Sequence, residues 1–272
     1  MPKISRIGII APAASIKEAE LEYLDAGIQY LENLGLKVIK ANNLYDAEQL
    51  CSGSETFFPG SKEKRIESMM QVWSDSQVDI LLSLRGGYGC VHLLDALDYD
   101  YIAKNPKPIL GYSDLAALFS ALYTQAYSQK LPLYHAPMLM ELSRLRDDEK
   151  QSFNQLLSVI DAEAYRDYNV APRQEKILGG NLSVLSSLVG SKYLYDFKDS
   201  VMFLEDCQEP AYKIDRMLYQ LKLAGAFNGV KKILLGESDE APLNIAFFDE
   251  LKIPYELNLP YGHKVKHSFV LG

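Results

Sequence analysis

Short apolar runs alternate with amphipathic stretches through the first half of the chain, the pattern that folds into a parallel sheet covered by helices on both faces. Residues 4–10 read as a buried first strand, ended by Ala11, Pro12 and Ala13. Ser15 then suits the cap of a helix whose apolar positions Ala19, Leu21, Leu24 and Ile28 are spaced for one helical face. Residues 36–41 repeat the strand signal and 62–73 read as a helix, while 78–84 are apolar almost throughout, as a central strand requires. Residues 108–111 make one more short strand running into Ser113, and 114–125 return to helical spacing.

From residue 147 to 174 the chain turns polar, led in by Arg144, Arg146, Asp147, Asp148, Glu149 and Lys150, which suits a connection between domains. Beyond it come short strands at 201–204 and 232–235 around a helix over 211–223, with no internal repeat. The expected architecture is α/β: an N-terminal doubly wound, mostly parallel sheet domain over residues 1–150, and a smaller C-terminal α/β domain with short strands over 151–272. A chain of 272 residues is long enough for two such cores.

Composition narrows the partners. Hydrophobic residues make up 48% and charged residues 24%, ordinary values for a globular chain. The net charge is −8 and the basic residues are scattered, so nucleic acid is not an expected partner. No run approaches the ~20 apolar residues of a membrane span and no signal-peptide core precedes the first strand, so the expected location is the cytoplasm. Cys51, Cys90 and Cys207 are widely spaced without a C-x-x-C pair, and read as free thiols with neither a disulfide framework nor a metal site.

Candidate chemistry gathers at three places. Arg85-Gly86-Gly87-Tyr88-Gly89 follows the central strand, where ligands of open α/β sheets collect. It fits neither a phosphate-binding P-loop nor G-x-G-x-x-G, which leaves a tight turn or a loop that offers backbone N–H groups to a ligand. Gly111-Tyr112-Ser113-Asp114 puts a serine between a strand and a helix, as in the nucleophile elbow of hydrolases, with the Asp114 N–H placed to stabilise an oxyanion. Spacing alone fits a helix N-cap at Ser113 better, since the second glycine of G-x-S-x-G is absent.

Of the four histidines, His92 and His135 fall in a helix and at the end of an apolar run, where structural roles suit them. His263 stands in a loop after Pro260-Tyr261-Gly262, a setting common for catalytic groups, and His267 is the reserve candidate. Glu205 and Asp206 end the apolar strand at 201–204, where a carboxylate can orient an imidazole or cap the following helix.

Taken in order, Ala11-Pro12, Arg85 to Gly89, Gly111 to Asp114, Gly179-Gly180-Asn181-Leu182, Leu204-Glu205-Asp206 and Gly262-His263 resemble the motif set of the LD-carboxypeptidase family of serine peptidases. Tyr212, Asp215 and Arg216 match a further stretch after the acidic motif. The resemblance implies a catalytic triad of Ser113, Glu205 and His263, with the backbone of Gly87 and Asp114 as the oxyanion hole. It implies no metal or other cofactor, and a site in a cleft between two domains.

The activity implied is hydrolysis of the bond between the L-centre of a diamino acid and terminal D-alanine in murein tetrapeptide, a cytoplasmic step of cell-wall recycling, by a homodimer that binds neither nucleic acid nor membrane. Arg85 is a candidate anchor for the substrate carboxylate or half of a structural ion pair. His92, where relatives often carry arginine, bears on substrate choice. Two alternatives keep the fold: a microcin-immunity-like hydrolase of aminoacyl-nucleotide conjugates, and a catalytically silent binder of small molecules.

Overall fold

The apolar runs of the chain become the strands of two separate sheets, each with its own core. A computed structural model describes residues 4–127, 133–160, 175–238 and 245–272. The first part contains β1 (Arg6–Ile10), α1 (Leu21–Asn33), β2 (Lys37–Lys40), β3 (Glu48–Gln49), β4 (Phe57–Phe58), α2 (Lys62–Ser74), β5 (Ile80–Ser83), α3 (Tyr99–Lys104), β6 (Ile109–Gly111), α4 (Leu115–Ala121), β7 (Leu133–His135) and α5 (Asp147–Val159). There follow β8 (Ile177–Asn181), α6 (Leu182–Ser187), β9 (Val201–Asp206), α7 (Ala211–Leu223), β10 (Lys232–Ser238), α8 (Ile245–Leu251), β11 (Tyr255–Leu259) and β12 (Phe269–Leu271).

Six strands form the first sheet in the order β12-β7-β6-β5-β1-β2, and four form the second in the order β11-β10-β9-β8. Within these two sheets all neighbours are parallel except β12 beside β7, where Val270 faces Tyr134, while β3 and β4 pair antiparallel as a separate ribbon. The α/β class and the mostly parallel N-terminal sheet are as the sequence pattern predicts. Ile80, Leu81, Leu82 and Ser83 are all fully buried, which is why β5 reads as a continuous apolar run. The second core gathers Met202, Leu204, Ile214, Leu218, Leu235 and Phe248 between its sheet and α7 and α8. Each such side chain contributes about 1.5–3 kcal/mol on leaving water.

Several local expectations give way to tertiary contacts. Ser15 caps no helix: its N–H donates to the Phe57 carbonyl, its own carbonyl accepts from Arg85, and α1 begins six residues later, after a short 3₁₀ turn at Glu18–Glu20. The helix expected over 114–125 is α4 continued by a π-helical turn, Leu122–Tyr127, where the Thr124 hydroxyl bonds back to the Ser120 and Ala121 carbonyls and competes with the helix ladder. Residue 150 lies inside α5, whose Phe153, Leu156 and Leu157 pack in the core of the first sheet. The rest of the polar stretch, 161–174, is outside the described residues. Among the described residues no helix is long and apolar enough to cross a membrane.

Candidate active site

Ser113 occupies the sharp turn between β6 and α4 with a φ of 61°. A non-glycine residue in this left-handed region is disfavoured by about 1–2 kcal/mol. The buried Tyr112 and Leu115 on either side hold it there. The turn sits at the carboxyl ends of the parallel strands, where a nucleophile elbow places its hydroxyl.

His263 and Glu205 arrive from the second half of the chain. His263 Nε2 lies 3.1 Å from Ser113 Oγ, and its Nδ1 lies 2.8 Å from Glu205 Oε2. The Glu205 side chain, at the end of β9, is fully buried, and among the described residues the imidazole is the only hydrogen-bond partner of its carboxylate. The Tyr112 ring and the imidazole pack at 60° to each other with their centroids 4.9 Å apart. Burial lowers the proton affinity of His263, but the sulfur of Cys207 and the carboxylate of Glu205 favour the charged ring and together raise it above that of an ordinary histidine.

The neighbouring acids have other partners. Successive strand residues face opposite ways, and Asp206 accepts the backbone N–H of Ser183 and of Cys207, each at 2.8 Å. Burial raises its carboxyl to about 6. Glu209 pairs with Lys213 at 3.2 Å. His267 meets Asp148 at 3.1 Å, and His135 is buried between Tyr112, Phe203 and Phe269. His92 lies in a 3₁₀ turn beside Tyr88, whose hydroxyl is 3.1 Å from its Nε2.

The glycine loop runs between Ser113 and the segment after β1. A Cβ on Gly86 would stand 3.1 Å from Ser113 Oγ, and one on Gly87 would stand 2.7 Å from the Ala14 Cβ, while the φ of Gly87 is 104°. Only glycine meets both demands at position 87. The loop thus reaches the serine at Gly86, with Gly87 the next residue along it, while Asp114 directly follows Ser113 in the chain. Arg85 is paired with Glu20 at 2.7 Å and donates to the Ser15 carbonyl. Beside the loop opens a cavity of about 490 Å³ lined by Lys17, Glu55, Phe57, Arg85, Gly87 and Tyr88. Among the described residues no three metal-binding side chains come together.

Four residues that hold this arrangement have no site role in the reading of the sequence: Arg65, which it does not single out, and Tyr112, Glu149 and Cys207, which it names only as part of a motif, a charged run and a free thiol. Arg65 carried a usable signal, since it precedes Met69 and Val72 at the four- and seven-residue spacing of one helix face. Glu149 lay in a run of charges that nothing local distinguishes from a solvated surface.

A hydroxyl, an imidazole and a buried carboxylate in one hydrogen-bonded line have the geometry with which serine hydrolases remove a proton from the nucleophile. Residues 7–135 match the LD-carboxypeptidase N-terminal domain and residues 174–272 match the LD-carboxypeptidase C-terminal domain. The chain belongs to the LD-carboxypeptidase family of peptidases. It is similar to a probable murein peptide carboxypeptidase of Bacillus subtilis, with 30% identity over 84% of this chain and 70% of that one. The murein tetrapeptide carboxypeptidase of Pseudomonas aeruginosa is 28% identical over 96% of this chain and 89% of its own length. Among solved structures, an MccF-like protein of Bacillus anthracis superposes with a TM-score of 0.81 and 25% identity, covering 100% of this chain and 92% of that one.

Proposed function

We propose that the protein is a serine-type LD-carboxypeptidase that releases terminal D-alanine from muropeptides such as murein tetrapeptide, acting in the cytoplasm as a homodimer in cell-wall recycling. The observation that carries this reading is the line from Glu205 through His263 to Ser113, at 2.8 and 3.1 Å. The names of the Bacillus subtilis and Pseudomonas aeruginosa relatives support the substrate class.

In this mechanism Ser113 Oγ attacks the carbonyl carbon of the scissile L,D-peptide bond as its proton passes to His263 Nε2. Glu205 stabilises the imidazolium through Nδ1–H. The carbonyl oxygen gathers negative charge, met by the backbone N–H groups of Gly87 and Asp114. Collapse breaks the C–N bond, and His263 returns the proton to the departing amine of D-alanine. Water, deprotonated by the same histidine, then adds to the acyl-enzyme and frees the shortened peptide and Ser113. Arg85, already paired with Glu20, is a structural element of the loop in this scheme rather than the anchor of the substrate carboxylate.

A second reading is favoured by one feature: Phe57 and Tyr88 are exposed on the wall of the cavity beside the loop, where a nucleobase can stack. It makes the chain a hydrolase of aminoacyl-nucleotide conjugates with the same triad. Mass spectrometry of murein tetrapeptide and of such a conjugate, each incubated with the protein and with Ser113→Ala, separates the two. Loss of D-alanine that needs Ser113 supports the carboxypeptidase; cleavage of the conjugate alone replaces it with the second reading.

A further inference from the structure

The glycine loop ends in a peptide group gripped by two buried charges of opposite sign. Arg65 Nη1 donates to the Gly89 carbonyl at 3.0 Å and to the Pro12 carbonyl at 2.8 Å. The other end of the same peptide bond, the Cys90 N–H, donates to Asp114 Oδ2 at 2.8 Å. Both side chains are inside the protein: Arg65 is 1% exposed and Asp114 is 3% exposed.

A peptide with a cation at its oxygen and an anion at its hydrogen has one stable orientation. Turned over, the plane would aim its carbonyl at a carboxylate and its N–H at a guanidinium, with no water to relieve either contact. Gly89 lets the guanidinium come this close: its φ is 131°, and a Cβ there would lie 2.7 Å from Arg65 Nη1. The guanidinium also lies over the Phe58 ring, at 4.5 Å. Two desolvated charges are a costly way to stabilise a fold, because apolar side chains of similar size do so as well or better. Their placement points to orientation as their use.

The same two residues tie the loop to two segments beside the serine. Arg65 joins the loop to Pro12, two residues before the Ala14 against which Gly87 packs. Asp114 joins the loop to the residue that follows Ser113. We propose that Arg65 and the Asp114 carboxylate are positioning residues, which clamp the Gly89–Cys90 peptide and so fix the glycine loop and its backbone N–H groups against the oxygen of the reacting carbonyl. This inference rests on the serine carboxypeptidase reading above, and deepens it.

The test uses the full chain and its Arg65→Lys, Arg65→Met, Asp114→Asn and Asp114→Ala variants. Reacting each with a fluorophosphonate to its end-point counts the competent Ser113 sites, and kcat and KM on murein tetrapeptide are then expressed per competent site. Misplacing an oxyanion donor acts on the transition state, so kcat per site should fall about 100-fold in Arg65→Met and Asp114→Ala with KM within about twofold. Arg65→Lys and Asp114→Asn, which each keep a partner for the peptide, should fall about tenfold, and the Met/Ala double variant should be no slower than the slower single, because one clamp has been opened once. A purely structural role predicts fewer labelled sites and an unchanged kcat per site, and that result overturns the proposal. Where Arg65→Met or Asp114→Ala does not fold, wild-type kcat per site in both conservative variants overturns it equally. If the unmodified protein neither labels at Ser113 nor releases D-alanine, the serine carboxypeptidase reading fails instead.

Discussion

The backbone N–H of Lys266 donates to Glu149 Oε1 at 2.8 Å, across 117 residues of chain. The loop that presents His263 is therefore anchored on α5, a helix packed against the first sheet, and not only on the sheet from which it emerges. Lys266 Nζ closes the loop on itself by donating to the His263 carbonyl at 2.7 Å, and the Ser268 N–H donates to Ser152 Oγ at 2.9 Å. A histidine and a serine from opposite halves of the chain keep their spacing because α5 anchors the loop of the first and packs in the core that holds Tyr112 and Leu115 beside the second.

Glu149→Ala should loosen that anchor. The carboxylate is 4% exposed and also accepts the Arg146 N–H at 2.8 Å, so the change leaves two backbone donors without an acceptor. A loss of about 2–4 kcal/mol in urea unfolding is expected, with kcat down about tenfold, and Glu149→Gln should lose less of both. Wild-type kcat in a folded Glu149→Ala protein would separate the helix from the placement of His263.

Ser113→Ala and His263→Ala should each lower kcat by about 10⁴-fold or more, and the double variant should be no worse than either, because the pair acts as a unit. Additive losses would show that the two act independently. Ser113→Gly should abolish activity while raising stability by about 1 kcal/mol, since glycine adopts a φ of 61° without strain. Urea titration of the inactive protein checks the sign.

Under the proposed mechanism the acid limb of kcat/KM should report the protonation of His263. Burial depresses the affinity of the ring for its proton, but Cys207 and Glu205 outweigh it, so the ring charges at a pH above the ordinary 6.5. Activity should rise with pH through a midpoint above that value. Cys207→Ala should move the midpoint down by about one unit and increase activity at mildly acid pH. An unmoved limb would remove Cys207 from the electrostatics of the site.

His135 makes a separate prediction about stability. Burial holds its imidazole down at about 4, against 6.5 ordinarily, so it is neutral in the folded protein. Between those values the unfolded chain binds the proton and the folded chain does not; the contribution is whole above pH 6.5 and shrinks as pH falls toward 4. By pH 5 about 2 kcal/mol should be lost. Asp206 works in the opposite sense: burial raises its carboxyl to about 6, so its contribution is present at low pH and lost as pH rises through that value. Subtracting the urea-unfolding profile of His135→Gln from that of the natural protein isolates the histidine, and a difference that is level between pH 5 and 7.5 would contradict its burial in the neutral form.

Legibility in the sequence followed how local the determining forces are. The helix read over 211–223 has those bounds as α7, and β5 was plain because a strand covered on both faces is apolar at every position. The three side chains of the hydrogen-bonded line are reached through the ordered motifs, because spacing alone explains Ser113 better as a helix cap. What stayed hidden depends on residues far apart in sequence. Nothing near residue 150 reveals that α5 docks under the loop 117 residues later, and nothing near Ser15 reveals that its backbone is taken by Phe57. Arg65 is hard to see because a lone arginine in a charged helix looks solvated, although its spacing to Met69 and Val72 puts it on the apolar face.

Pairing β12 with β7 makes the first sheet depend on the last strand of the second half. A chain is made from its N-terminus, so Ser113 and its elbow exist on the ribosome well before the histidine loop and the strand that follows it. Until those residues return, β7 carries an open edge of N–H and C=O groups, and Ser113 has no imidazole beside it. The same stretch of chain that covers this edge carries His263 to the hydroxyl, so under the proposed mechanism reactivity waits for the fold to close.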